Sequence, residues 1–203
     1  VKILSVETIA PEIGGEFRGI AFKTILVASI CILAYIGYRF RLMMGVMAVV
    51  ALVHDLFLSV GLFTLFGRQI NIDIVSALLI ILGYSVNDTI VVFDRIRELS
   101  GGNFGRNFRE VVDQAVNLSL NRTINTGGTT LITIGAMILF GGKGLADFAL
   151  ILFIGILFGT YSSTFVASAL AYDWVSYRSR KLEKEKEAAR LAGRGGAPVA
   201  RPA

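Results

Sequence analysis

Apolar residues fill this chain in long blocks, with short polar stretches between them. A helix that crosses a bilayer needs about 20 mostly apolar residues. Five segments meet that requirement: 21–38, 43–66, 72–93, 124–140 and 148–172. The fourth is the shortest and the richest in threonine. The pattern predicts an all-α membrane protein, a polytopic bundle of five transmembrane helices. An odd number of crossings puts the two chain ends on opposite sides.

A different period follows the third segment. Phe104, Phe108, Val111, Val112, Ala115 and Leu118 recur at helical spacing, while Arg106, Arg109, Glu110, Asp113 and Asn117 take the other faces. One apolar stripe on a polar helix predicts an amphipathic element over 104–120, lying at the cytoplasmic membrane surface. A structural elbow between spans and a docking surface for a partner both fit it. Residues 1–6 alternate loosely and suit the last strand of an external domain, so 1–20 reads as the end of that domain and its junction. Residues 21–174 form the bundle. Residues 175–203 form a basic tail: a solvated helix, then a Gly- and Pro-rich stretch that predicts disorder. The chain begins at Val1, not Met, and carries no visible signal peptide, so more chain is expected before it.

Composition agrees with the pattern. Of 203 residues, 54% are hydrophobic and only 17% charged, and the mean hydropathy is +0.68. A soluble domain carries more charge. The net charge of +5 comes without aromatic and basic interleaving and without a phosphate-cradling glycine loop. No nucleic-acid partner is therefore expected. Cys31 and His54 are each the sole residue of their type, which excludes a disulfide framework and a multi-histidine metal site.

The basic residues are unevenly placed. Arg39, Arg41, Arg95, Arg97, Arg106, Arg109 and Arg122 fall on one side, with eight more in the tail from Arg178 to Arg201. Lys2, Arg18, Lys23, Arg68 and Lys143 fall on the other. The richer side is expected to be cytoplasmic, and the C-terminus with it. The outer connections "GRQIN" (67–71) and "GGKGLAD" (141–147) read as tight turns. Asp73 and Asp147 are placed in the first turns of the helices that follow, where a carboxylate favours the helix dipole. At the basic side, Asp94 with Arg97 and Arg95 with Glu98 are spaced for surface pairs.

Polar groups inside the spans carry the candidate chemistry. Asn87 and Asp88 interrupt the third span. An ionised Asp at a helix centre costs about 2.5–3.5 kcal/mol on insertion scales, and such residues mark ion or substrate paths. Asp88 lies roughly 7 Å along the axis from Gly83, at 1.5 Å per residue. A carboxyl group that alternates between a dry setting and a nearby cation can take up and release a proton. A buried, hydrogen-bonded structural Asp is the alternative. Arg122 opens the fourth span, and its long side chain can reach inward towards Asp88. Thr126, Thr129 and Thr133 continue a polar stripe that either lines a proton path or bonds its own backbone. His54 and Asp55 sit at the middle of the second span, as further proton-path groups or as satisfied core residues. Gly155, Gly159, Ser163, Ala167 and Ala171 form a small-residue ridge suited to close helix packing, and Gly83 is assigned the same role.

The stretch "GYSVNDTIVVFDRIRE" (83–98) resembles the signature of the SecF branch of the SecD/SecF family, accessory subunits of the bacterial protein-export translocase. "VETIAPEIGGEFRGIA" (6–21), "VHDLF" (53–57), "LNRTINTGGTTLIT" (120–133) and "GTYSSTFVASAL" (159–170) sit in that family's order. The resemblance implies six spans, of which this chain holds the second to the sixth, and a ferredoxin-like external domain that it lacks. It also implies the bacterial inner membrane, a SecD partner, and pseudo-symmetric bundles like those of resistance-nodulation-division transporters. The activity it implies is completion of preprotein translocation after SecA and SecYEG, driven by the proton-motive force. Protons are the coupling ion and no other cofactor is implied. The family's key aspartate falls on Asp88 and its key arginine on Arg122.

Two further readings remain at this stage. A small-molecule proton antiporter of the same superfamily shares the bundle. An intramembrane aspartyl protease would use Asp55 and Asp88 as a proton-sharing pair, although "SVND" lacks the glycine-rich motif of such enzymes. No enzyme activity is expected.

Overall fold

The computed structural model describes residues 11–39, 42–101 and 108–194, with side chains over 19–39, 42–101 and 108–190. It contains five helices: α1 (Pro11–Arg39), α2 (Leu42–Leu65), α3 (Ile72–Ser100), α4 (Phe108–Phe140) and α5 (Gly142–Arg194). All five are long and apolar enough to cross a membrane. The expected strand at 1–6 lies outside the described residues, as do Phe104, Arg106 and most of the Gly- and Pro-rich stretch.

The helices are longer than the apolar blocks that define them. α1 begins at Pro11, ten residues before its apolar block. Proline suits a first helical position, because its fixed φ fits and its missing N–H would be unsatisfied there anyway. α4 joins two elements that the sequence divides. The amphipathic stretch from Phe108 and the fourth span form one helix of 33 residues. The linking residues Asn121 to Thr123 include neither Gly nor Pro. The buried stripe Phe108, Val112, Ala115, Ser119, Thr123 and Gly127 also runs across the join. Leu118, assigned to that stripe, points outward instead. At 1.5 Å per residue α4 is about 50 Å long, so its first turns project beyond an apolar layer about 30 Å thick.

The expected turn over 141–147 is also shorter than the sequence predicts. Gly141 N–H bonds the Met137 carbonyl at 2.8 Å, and α5 starts at the next residue. Asp147 is therefore past the first turn of α5. It pairs with Arg68 of the α2–α3 connection at 2.9 Å. At the opposite end, an Arg97 Nη1 N–H donates to the Arg39 carbonyl at 3.2 Å, and Arg39 lies 3.7 Å from Asp94. Arg95 pairs with Glu98 at 2.7 Å. Arg95–Glu98 lies within α3, whereas the contacts between elements fasten the two ends of an up-and-down bundle.

α5 is the central element and packs against α2, α3 and α4, while α1 packs on α2 and α3. The core is layered. Near the basic end, Ile36, Met44, Leu52, Phe93, Ile96 and Phe108 form one apolar cluster. Near the other end, Phe63, Ile74, Leu78, Ile81, Leu152 and Ile156 form a second. Along α2, α3 and α5, buried Asp55, Ser59, Ser85, Asp88, Thr89, Ser162, Ser163 and Thr164 occupy the stretch between them.

Candidate proton-coupling site in the polar layer

The small-residue ridge of α5 brings this layer together. Gly155, Gly159, Ser163, Ala167 and Ala171 are all buried. A Cβ at Gly155 would overlap the Ile81 side chain of α3, and one at Gly159 would lie 3.3 Å from Ser85 Cβ. Small side chains thus let α3 and α5 approach closely. Gly127 does the same for α4, since a Cβ there would come within 3.0 Å of Thr160. Gly83 takes no part: it is exposed, with nothing within 4 Å of a Cβ position. The helical period explains why it faces outward. Gly83 lies between Leu82 and Ser85 in sequence, but it shares the outward face with Asn87 at i+4.

Asp55 projects from α2 into the layer and is 1% exposed. Ser85 Oγ donates to its Oδ2 at 2.6 Å, and His54 Nδ1 lies 3.2 Å from its Oδ1. Ser59 Oγ donates to the Asp55 backbone carbonyl at 2.6 Å. Ser162 of α5 lies close to the same carboxylate, but its buried Oγ makes no aligned hydrogen bond. The adjacent His54 is 43% exposed, so a buried acid and an accessible base touch each other. Ser85, Ser59 and Ser162 were not singled out in the sequence. Ser85 sits three residues before Asp88 and four before Thr89, and that spacing places all three on one helix face.

Asp88 is 3% exposed, on the buried face of α3. Its Oδ2 has no hydrogen-bond partner among the described residues. Arg122 of α4 is the cation whose charge acts on it, although the two make no contact short enough for an ion pair among the described residues. Arg122 itself is exposed on the outer face. Two other buried oxygens also lack partners among the described residues, Tyr84 Oη and Thr123 Oγ1. Tyr84 points towards Thr130 of α4. Both were missed because a tyrosine and a threonine in a span are usually packing residues.

Several candidates sit elsewhere. Asn87 is exposed, on a different face of α3 from buried Asp88, because neighbours on a helix point about 100° apart. Thr126 Oγ1 donates to the Arg122 carbonyl at 2.7 Å, Thr129 to the Asn125 carbonyl at 2.9 Å and Thr133 to the Thr129 carbonyl at 3.0 Å. Their hydroxyls bond their own helix, as hydroxyls in apolar helices commonly do. With Arg122 and Asn125 they nonetheless make an outward polar face on α4. No hydrogen bond joins Asp55 and Asp88 among the described residues; Asp55 bonds Ser85 and lies against His54 instead.

The sequence matches the family described as "Protein export membrane protein SecD/SecF, C-terminal" over residues 1–177. It is 42% identical over 194 residues to the protein translocase subunit SecF of Desulfurispirillum indicum, covering 92% of this chain and 62% of that one. It is 43% identical over 176 residues to the protein translocase subunit SecDF of Thermus thermophilus, covering 87% of this chain and 24% of that one. The fold matches a crystal structure of SecDF in its super-membrane-facing form with a TM-score of 0.75 at 40% identity, covering 90% of this chain and 24% of that chain. The crystal structure of the Thermus SecDF, a translocon-associated membrane protein, matches with a TM-score of 0.76 at 43% identity, over 82% of this chain and 23% of that one. The chain thus spans about 62% of the SecF relative and about a quarter of the SecDF chains. Sequence and fold agree over nearly its whole length: the chain belongs to the SecD/SecF family of protein-export membrane proteins.

Proposed function

We propose that this chain is the SecF-type part of a translocase that uses the proton-motive force to complete preprotein export. It acts with SecD in the inner membrane, after SecA has driven the preprotein into SecYEG. The basic end of the bundle, with the α5 extension, faces the cytoplasm. The observation that carries the reading is the Asp88 carboxyl group, buried in an apolar bundle with one oxygen unpartnered and Arg122 as its nearby cation.

A buried charge without full hydrogen bonding is costly. Two changes relieve it: closer approach of Arg122, or binding of a proton at Asp88 Oδ2. The first favours a tight α3–α4 seam with an ionised carboxylate. The second removes the attraction and lets the seam relax. A gradient that loads the proton from one side and unloads it to the other drives the seam through both states, biasing a two-state bundle. The outward polar residues Asn87, Arg122, Asn125 and Thr129 have no good partner in lipid. In this reading they face the homologous SecD bundle.

The test uses the full-length protein with its partner in sealed vesicles under a defined pH gradient. Late-stage release of a translocating preprotein is followed for wild type, Asp88→Asn and Arg122→Met. The gradient is expected to speed release for wild type only, with both variants still inserting and binding the partner. An equal response in all three would overturn the assignment.

A further inference from the structure

Away from the polar layer, a groove of about 590 Å³ opens between the first turns of α4 and the last membrane turns of α5. Its two ends differ in chemistry. Arg109 and Asp113, in the first turns of α4, line the outer end, while Val116 and Asn117, further along α4, line the inner part together with Phe165 of α5. Phe108 and Tyr172, stacked with ring centroids 6.5 Å apart, link the two helices here.

The depth of the groove is marked by its surroundings. Exposed Trp174 and Tyr177 follow on α5, as aromatic residues do at a membrane–water boundary. Inward, Ala169, Phe165, Tyr161 and Leu157 make an exposed apolar stripe at four-residue steps. The Tyr161 and Phe165 rings lie 5.1 Å apart along it. The groove therefore has a charged mouth at head-group level and an apolar track leading into the bilayer.

The charges at the mouth are one of each sign. Arg109 Nε and Asp113 Oδ2 are 4.0 Å apart, with the side chains 79% and 69% exposed. This loose pair leaves most of the guanidinium donors and carboxylate acceptors available. A guanidinium suits a phosphate, and a carboxylate suits a primary ammonium, with its three N–H donors. We infer that the groove binds a phospholipid with a phosphoethanolamine head group, its phosphate at Arg109, its ammonium at Asp113 and an acyl chain along Phe165 and Tyr161. An anionic glycerol head group would place negative charge against Asp113 with nothing to offset it. A choline head group would offer no N–H donor.

The test uses the full-length protein with its partner, purified from detergent containing equal amounts of phosphatidylethanolamine and phosphatidylglycerol. Retained lipid is counted by native mass spectrometry. Phosphatidylethanolamine is expected to be enriched about threefold, the size of effect that a single exposed ion pair produces. Asp113→Asn should abolish the preference, and Arg109→Gln should lower retention of both lipids. Both residues are exposed, so these variants should fold. Phe165→Trp in a Trp174→Phe background should add fluorescence that phosphatidylethanolamine with brominated acyl chains quenches. Enrichment of phosphatidylglycerol, or ratios unchanged in both variants, would overturn the inference. An unquenched Trp at 165 would too, by showing the groove covered by protein.

Discussion

Asp55 and Asp88 sit in the same polar layer but in different settings. Asp55 has a partner on each oxygen, from Ser85 and His54. Asp88 has an oxygen without one. A carboxyl group whose bonds are satisfied is held in place, and one with an open oxygen can respond to a proton. Ser85→Ala would strip the Oδ2 partner from buried Asp55, and leaving such a group unsatisfied costs about 1–3 kcal/mol. Ser59→Ala removes only a hydroxyl bonded to a helix carbonyl, which the helix ladder also satisfies, and should cost less than about 1 kcal/mol. Equilibrium unfolding of the two variants in mixed micelles would separate them. Equal losses would mean that the Ser85 bond does not hold Asp55.

At the scale of the elements, contact between α3 and α5 depends on what α5 lacks. Gly155 faces Ile81 so closely that even a methyl group overlaps it. Overpacking of this kind costs about 1–3 kcal/mol. Gly155→Ala should destabilise the bundle by that amount, and Ile81→Ala in the same chain should restore part of it. A double-mutant cycle measures the coupling, and additive losses would place the two residues out of contact. The start of α3 offers a second test. Asn71 Oδ1 accepts from the Ile74 N–H at 3.0 Å, and Gly101 closes the same helix with φ 54° and its N–H on the Glu98 carbonyl. Asn71→Ala should cost about 1 kcal/mol, seen as faster amide exchange in the first turn of α3. The sequence drew attention to Asp73 at this helix end, but the hydrogen-bonding cap is Asn71.

The whole bundle is held mainly by its layered core, with polar fastenings at the ends contributing less. Arg68 and Asp147 are 50% and 41% exposed, and pairs this open are worth under about 1 kcal/mol. Arg68→Ala should therefore lower stability by less than Gly155→Ala does, and its own effect should shrink further in high salt. A large, salt-insensitive loss would mean that this bridge determines how α5 meets the α2–α3 connection. The strong fixtures are the apolar clusters above and below the polar layer, because removing a large side chain there leaves a cavity.

The five spans were legible in the sequence because hydrophobic length is a local property: a run of about 20 apolar residues cannot avoid being a span candidate. Asp88 and Arg122 stood out for a similar reason, since a charge inside or at the mouth of such a run is conspicuous without any knowledge of its neighbours. The small-residue ridge of α5 was visible as a four-residue period. The rotation of each helix about its own axis was not visible, and it decided the rest. It turned Gly83 and Asn87 outward and Asp88 inward, though they share one motif, and it paired Asp55 with Ser85, thirty residues away. The union of the amphipathic stretch and the fourth span into α4 was also decided by packing. Its buried stripe runs unbroken across a join where composition changes, and composition alone marks a boundary there. What the sequence determined was therefore which residues are costly to bury. Which of them share a surface was decided only by the contacts among α2, α3, α4 and α5, because facing depends on neighbours far apart in the chain.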